Sequence, residues 1–172
     1  MMIGCSDSRV DPALLFDAEA GDLFVVRNVA NLVPPYAPDR EYHGTSAALE
    51  FAVRSLLVEH IVVLGHAQCG GVRALLEAPV TDDTDFVQSW MRIAGPARDR
   101  ARWRAAGQEE GVLRRVCEHE SIGVSLANLM TFPWIRERVE AGQLALHGWY
   151  FDLEQGQLYE LDRAQGTFLP LD

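Results

Sequence analysis

Five residues in two short motifs carry chemistry that neither would carry alone. Cys5-Ser6-Asp7-Ser8-Arg9 offers a thiol, a carboxylate and a guanidinium, and His66-Ala67-Gln68-Cys69-Gly70-Gly71 offers an imidazole and a second thiol. Two thiolates and one imidazole suit a zinc ion: the donors are soft and borderline, and three protein ligands leave a tetrahedral ion one open position. His66 and Cys69 are three apart, so one turn of chain brings both to a single ion. Gly70 and Gly71 let the backbone approach closely and open a following helix whose amides point at the site. Asp7 and Arg9 are spaced to pair, the guanidinium holding the carboxylate in one orientation. A carboxylate so held has two roles open to it: a fourth ligand, or an acceptor for the proton of a zinc-bound hydroxide. With no Cys-x-x-Cys, thioredoxin-type redox chemistry is disfavoured.

The elements that position these motifs alternate. Met2-Ile3-Gly4 leads into the first motif as a short strand, and Ile61-Val62-Val63-Leu64, wholly apolar, leads into the second. Uninterrupted apolar runs of this length belong to central strands of parallel sheets, and sites collect at the carboxyl ends of such strands. Leu23-Phe24-Val25-Val26 predicts a third buried strand after the Gly21-Asp22 turn. Asp11-Pro12 opens a short helix through Phe16, and Thr45 to Glu59 carries apolar residues at helical spacing. A helix follows Gly70-Gly71 to about Ala78. Thr81 to Asp85 then forms an acidic loop whose Asp and Thr residues can cap a helix. Long helical segments reach about Met130, a further helix runs from Phe132-Pro133 to Gly142, and Leu144–Leu153 with Gln157–Leu161 predicts final strands around Gly156. The expected fold class is α/β, one domain over residues 1–172 with a mostly parallel central sheet flanked by helices.

Composition narrows the function. The 172 residues are 48% hydrophobic and 23% charged, as in a globular domain. All 15 basic residues are Arg, which excludes a lysine Schiff base and a Walker-type phosphate loop. The net charge of -10 argues against nucleic acid. No apolar run reaches the roughly 18 residues of a membrane span. With three widely spaced cysteines and no leader, a reducing cytoplasm is expected. Cys117, with no His or Cys at a ligand spacing on its helix face, reads as a core or half-buried free thiol. Arg98, Arg100, Arg102 and Arg104 read as a solvated helix surface.

Together, Cys5-Ser-Asp-Ser-Arg9 and His66-x-x-Cys69-Gly-Gly resemble the β-class carbonic anhydrases. The resemblance extends through Gly21–Asn31, His43–Glu50, Val124–Leu129 and His147-Gly148-Trp149, covering nearly the whole chain. It implies that Cys5, His66 and Cys69 bind Zn²⁺ and that Asp7 and Arg9 form the catalytic dyad for reversible hydration of CO₂ to bicarbonate and a proton. Gly70 would offer its N–H to bicarbonate. Phe24 and Val29, with Phe51 from a partner subunit, would line the CO₂ pocket. The family assembles as a dimer or larger homo-oligomer with sites at the interface. Three departures accompany the resemblance. Phe51 and Ser55 stand where some members have a proton-relaying Tyr and His. Met2, Arg27 and Phe151 stand where bicarbonate-regulated members have Trp, Arg and Tyr, which implies the open, plant-like form with Asp7 off the metal. Only four residues precede Cys5, so the N-terminal helical arm is expected to be absent. A hydrolase of carbon disulfide or carbonyl sulfide, and a catalytically silent zinc-bearing subunit, are the rival readings.

Overall fold

The computed structural model describes residues 1–39, 41–77 and 86–171. β1 (Met2–Cys5) is followed by α1 (Pro12–Leu15), β2 (Val25–Asn28), α2 (Gly44–Glu50), β3 (His60–His66) and α3 (Gly70–Glu77). Then come α4 (Val87–Met91), α5 (Gly95–Arg104), α6 (Glu110–Leu129), α7 (Pro133–Glu140), β4 (Ala145–Asp152), β5 (Gln157–Asp162) and β6 (Thr167–Pro170). One six-stranded sheet runs in the order β2-β1-β3-β4-β5-β6. Its first four strands are parallel and its last two antiparallel. Helices flank it, so the α/β architecture expected from the alternation is present.

Several boundaries differ from expectation. β2 begins two residues after Leu23 and is an edge strand, paired with β1 alone. Its open side leaves Val25 39% exposed, so apolar composition overstated its burial. The helix expected across Thr45–Glu59 stops early: α2 passes into a π-helical turn, Phe51–Ser55, and Leu57 adopts a left-handed φ of 55° before β3. β6 was not anticipated; it is four residues long and ends in Pro170, which an edge strand tolerates because its outward amide needs no partner. The acidic Thr81–Asp85 segment lies outside the described residues. Among those described, no helix is long and apolar enough to cross a membrane.

The main core lies between one sheet face and α6, where Ile3, Ile61, Val63, Leu146 and Tyr150 meet Ile122, Leu126 and Leu129. The opposite face buries Met2, Val62 and Leu64 against Leu15, Phe16, Trp149 and Phe151. Cys117 is fully buried, as its position suggested. Of the arginines on α5, Arg100 and Arg104 are half-exposed and both pair with Glu120 on α6.

Two glycines decide how closely α6 approaches the sheet. A Cβ on Gly65 would sit 2.7 Å from Ile122 Cδ1, and one on Gly148 would sit 2.8 Å from Ile122 Cγ2 and 2.9 Å from Leu126 Cδ1. Ile122 is fully buried and pinched between the two strands, so it has nowhere to retreat. Gly148→Ala should therefore cost about 1–3 kcal/mol through overpacking. Urea unfolding should show a lower midpoint at an unchanged slope.

Candidate metal centre

Cys5 ends β1 and His66 ends β3, and these strands are hydrogen-bonded neighbours. Cys69 follows one turn later, immediately before α3. Its Sγ, the Sγ of Cys5 and a ring nitrogen of His66 all lie within 4.8 Å of one another, on three buried residues. This is the only such cluster among the described residues. The sulfurs are 3.9 Å apart, close to the ~3.8 Å that two thiolates span across a tetrahedral zinc. His66 Nδ1 donates to the Ala67 carbonyl at 2.8 Å, which leaves the lone pair on Nε2. That Nε2 is buried and has no hydrogen-bond partner. An orphaned imidazole nitrogen facing two thiols is costly unless something electrophilic fills the gap, so the donor set fits a zinc ion. The hydrogen bond between the two sulfurs draws the Cys5 thiol down to about 4 and, with burial, pushes that of Cys69 up.

The loop after β1 is clamped by arginines. Arg9 reaches both oxygens of Asp7, through Nε at 2.9 Å and Nη2 at 2.6 Å, while its backbone N–H adds a bond of 3.0 Å. These bonds hold the Asp7 carboxyl well below the usual carboxylate range. Arg9 also donates to the Gln68 carbonyl at 3.1 Å, tying the first motif to the second. Gln68 has a left-handed φ of 57°, and its side-chain amide is held by Glu154. Arg27, on β2, donates to the carbonyls of Cys5 (2.9 Å) and Asp7 (2.6 Å) and to Asp11 Oδ2 (3.0 Å). Asp11 in turn caps α1 through the amides of Ala13 and Leu14. One side chain thus fixes the loop at three points.

The turn beyond β2 completes the wall. Ala30 and Asn31 are left-handed, and Asn28 closes that turn by bonding both the amide and the carbonyl of Leu32. Gly71 is required there, because a Cβ would sit 2.9 Å from Val29 Cγ1 and 3.0 Å from Ala30 Cβ. Gly70 opens α3 in free space beside Cys69.

Sequence reasoning missed Glu118. This buried carboxylate accepts the Cys69 amide at 3.0 Å and the Tyr150 hydroxyl at 2.9 Å, and burial raises its pKa. The signal was present: Glu118 falls on the same helical stripe as Ile122, Ser125 and Leu129, where an acid is out of place unless it has partners.

The pocket residues divide differently from expectation. Val29 lies beyond the carboxyl end of β2, near the centre, and is 40% exposed. Phe24 lies at the other end: β2 runs from Val25, beside Met2, to Asn28, beside Cys5. That sets Phe24 about 13 Å back along the strand from the level of Cys5. Its ring instead meets that of Phe51, with centroids 6.0 Å apart. Phe24 therefore belongs with Phe51, not with Val29.

Residues 1–158 match the family model described as carbonic anhydrase. Over 168 residues the sequence is 38% identical to beta carbonic anhydrase 3 of Arabidopsis thaliana. The chain belongs to the β-class carbonic anhydrases. The match covers 94% of this chain and 64% of the length of that curated relative. Among solved structures of the class, the β-carbonic anhydrase CcaA superposes with a TM-score of 0.92 at 36% identity, over 99% of this chain and 82% of the other. A tetrameric β-carbonic anhydrase from Sordaria macrospora gives 0.80 at 32% identity, over 94% and 79%.

Behind the centre, His119 is packed between the rings of Tyr150 and Phe168, at centroid distances of 4.4 and 4.2 Å. Burial lowers its pKa from 6.5 to about 4. Below pH 6.5 the unfolded chain takes up a proton that the native chain refuses, so this group makes stability fall as pH drops from 6.5 toward 4. His119→Phe should remove roughly 2 kcal/mol of the stability lost between pH 7 and pH 5. Paired urea titrations at the two pH values measure the difference.

Proposed function

We propose that this chain is a zinc-dependent carbonic anhydrase, a lyase interconverting CO₂ and bicarbonate. It is read as a single domain that works as a homodimer or larger homo-oligomer. The observation that carries the reading is the buried, unpartnered Nε2 of His66 facing two thiols, beside a carboxylate whose oxygens are both held by Arg9. Cys5, His66 and Cys69 hold the ion. Bound there, zinc lowers the pKa of water toward about 7, though less far with two thiolates than with imidazoles alone, so activity rises with pH.

The residues around the ion supply orientation and charge. Asp7 remains an anion because Arg9 neutralises it, and it accepts a hydrogen bond from the attacking oxygen, aiming the lone pair at the carbon of CO₂. Its engagement by Arg9 through both oxygens supports the open arrangement, in which Asp7 would stay off the metal. The positions that correspond to the regulatory anion site support this reading. Met2 and Phe151 pack in an apolar cluster, and Arg27 spends its guanidinium on Cys5, Asp7 and Asp11. The N–H of Gly70, which opens α3, would donate to product bicarbonate. CO₂ is apolar and needs an apolar wall: Val29 supplies part of it, and Phe24 with Phe51 supplies the rest to a neighbouring copy. Phe51 is 52% exposed, as a side chain serving another copy would be. The proton leaves directly to buffer, since Ser55 is no relay.

Stopped-flow CO₂ hydration on zinc-loaded protein tests the proposal. Asp7→Ala should lower kcat/KM by about 100-fold or more while zinc content stays near one per chain. Loss of zinc in that variant would make Asp7 a ligand. No acceleration by zinc-replete wild-type protein would overturn the assignment.

A further inference from the structure

A pair of histidines backed by a carboxylate lies at the opposite end of the sheet. His60 opens β3 and His147 lies in β4, on the sheet face that also carries Val62, Leu64 and Trp149. In the parallel register His60 pairs with Ala145, so His147 is its diagonal neighbour on that face. His60 Nδ1 and His147 Nε2 are 3.1 Å apart. On the far side of the second ring, His147 Nδ1 is 2.9 Å from Glu160 Oε1 on β5. Six residue steps along β3 separate His60 from His66, about 20 Å of extended chain. The cluster is therefore distinct from the cysteine centre.

The carboxylate assigns the proton. An ionised Glu160 only accepts, so His147 carries its proton on Nδ1 and presents the bare lone pair of Nε2 to His60. Burial does not impose this: the side chains of His147 and Glu160 are 28% and 38% exposed, and His60 is exposed. Solvent could satisfy each ring separately, yet the two nitrogens converge. Their 3.1 Å separation is close to the ~3.3 Å between two imidazole nitrogens on one tetrahedral ion. A ligating imidazole backed by a carboxylate on its other nitrogen is the arrangement that raises ligand basicity and fixes the ring.

We propose that His60 and His147, with Glu160 behind His147, form a second metal site for a borderline divalent transition ion of the zinc, nickel and copper class. The ion takes the position between the two rings, and the one ring proton of His60, which it shares from Nδ1 with His147, passes to His60 Nε2 so that Nδ1 is free to ligate. Two protein ligands and an open face leave the other positions to water, so the site is weaker than the thiolate centre and exchanges its ion freely.

Calorimetric titration of the zinc-loaded chain with Ni²⁺ tests the site, with equilibrium dialysis to count bound nickel. One nickel per chain is expected beyond the resident zinc. His60→Ala and His147→Ala should each weaken it by at least tenfold, and Glu160→Gln, which keeps the shape but not the charge, by about ten- to hundredfold. His60 is exposed, so His60→Ala should fold, and unchanged zinc content and hydration rate verify it. Absence of nickel binding overturns the proposal, as does equal uptake by a His60→Ala/His147→Ala variant. An unaltered affinity in Glu160→Gln overturns the part given to the carboxylate. None of these outcomes bears on the cysteine centre.

Discussion

The chemistry of this chain depends on three positions of backbone pairing. β1 and β3 are joined through Met2–Val62, Ile3–Val63 and Gly4–Leu64, and nothing longer. Because the pairing is parallel, both strands end on the same side, and their next residues outward are a cysteine and, two further along β3, a histidine. A shift of one position would turn Cys5 to the other face and break the donor set. The register is held by what each face must bury: Ile3, Ile61 and Val63 toward α6, Met2, Val62 and Leu64 toward α1. Hydrophobic alternation and the arrangement of the donor groups are thus one constraint.

The second constraint is charge. A chain with a formal charge of -10 places three acidic residues, Asp7, Asp11 and Glu118, within one loop or one hydrogen bond of two thiol ligands. Each is matched before solvent is needed. Arg9 takes both oxygens of Asp7, Arg27 takes Asp11 together with two carbonyls, and Glu118 is satisfied by an amide and a phenol. The guanidinium suits this because it offers several donors in a rigid fork, where an ammonium would offer a point charge. The absence of lysine from the sequence is consistent with cations used here as struts as much as charges.

Legibility from sequence followed a physical boundary. Cys5, His66 and Cys69 could be read because their chemistry is rare and each follows a strand whose run of apolar residues announces it. The Asp7–Arg9 pair could be read because it is local. The Phe24–Phe51 contact could not: it joins the start of β2 to a π-helical turn, and no spacing rule connects those positions. β2 was taken for an interior strand because composition registers apolar side chains, not whether a neighbour covers them. β6 was invisible because four residues ending in proline carry no period. Glu118 was overlooked because an acid in a helix is ordinarily solvated. Only its helical stripe marked it.

The pairing of Phe24 with Phe51 has a consequence for how changes in this protein are inherited. Both rings sit on the polypeptide that also carries Cys5, His66 and Cys69, yet they lie away from that cluster. In the proposed assembly of copies, the walls of a pocket and the floor of the same pocket would then be read from different translations of one gene. Under the proposed function, a defect in an aromatic residue would be expressed in a neighbour's chemistry, and the chain that bears it would keep its own cysteine–histidine cluster intact. Ownership of the sequence and ownership of the site are different things in such a molecule.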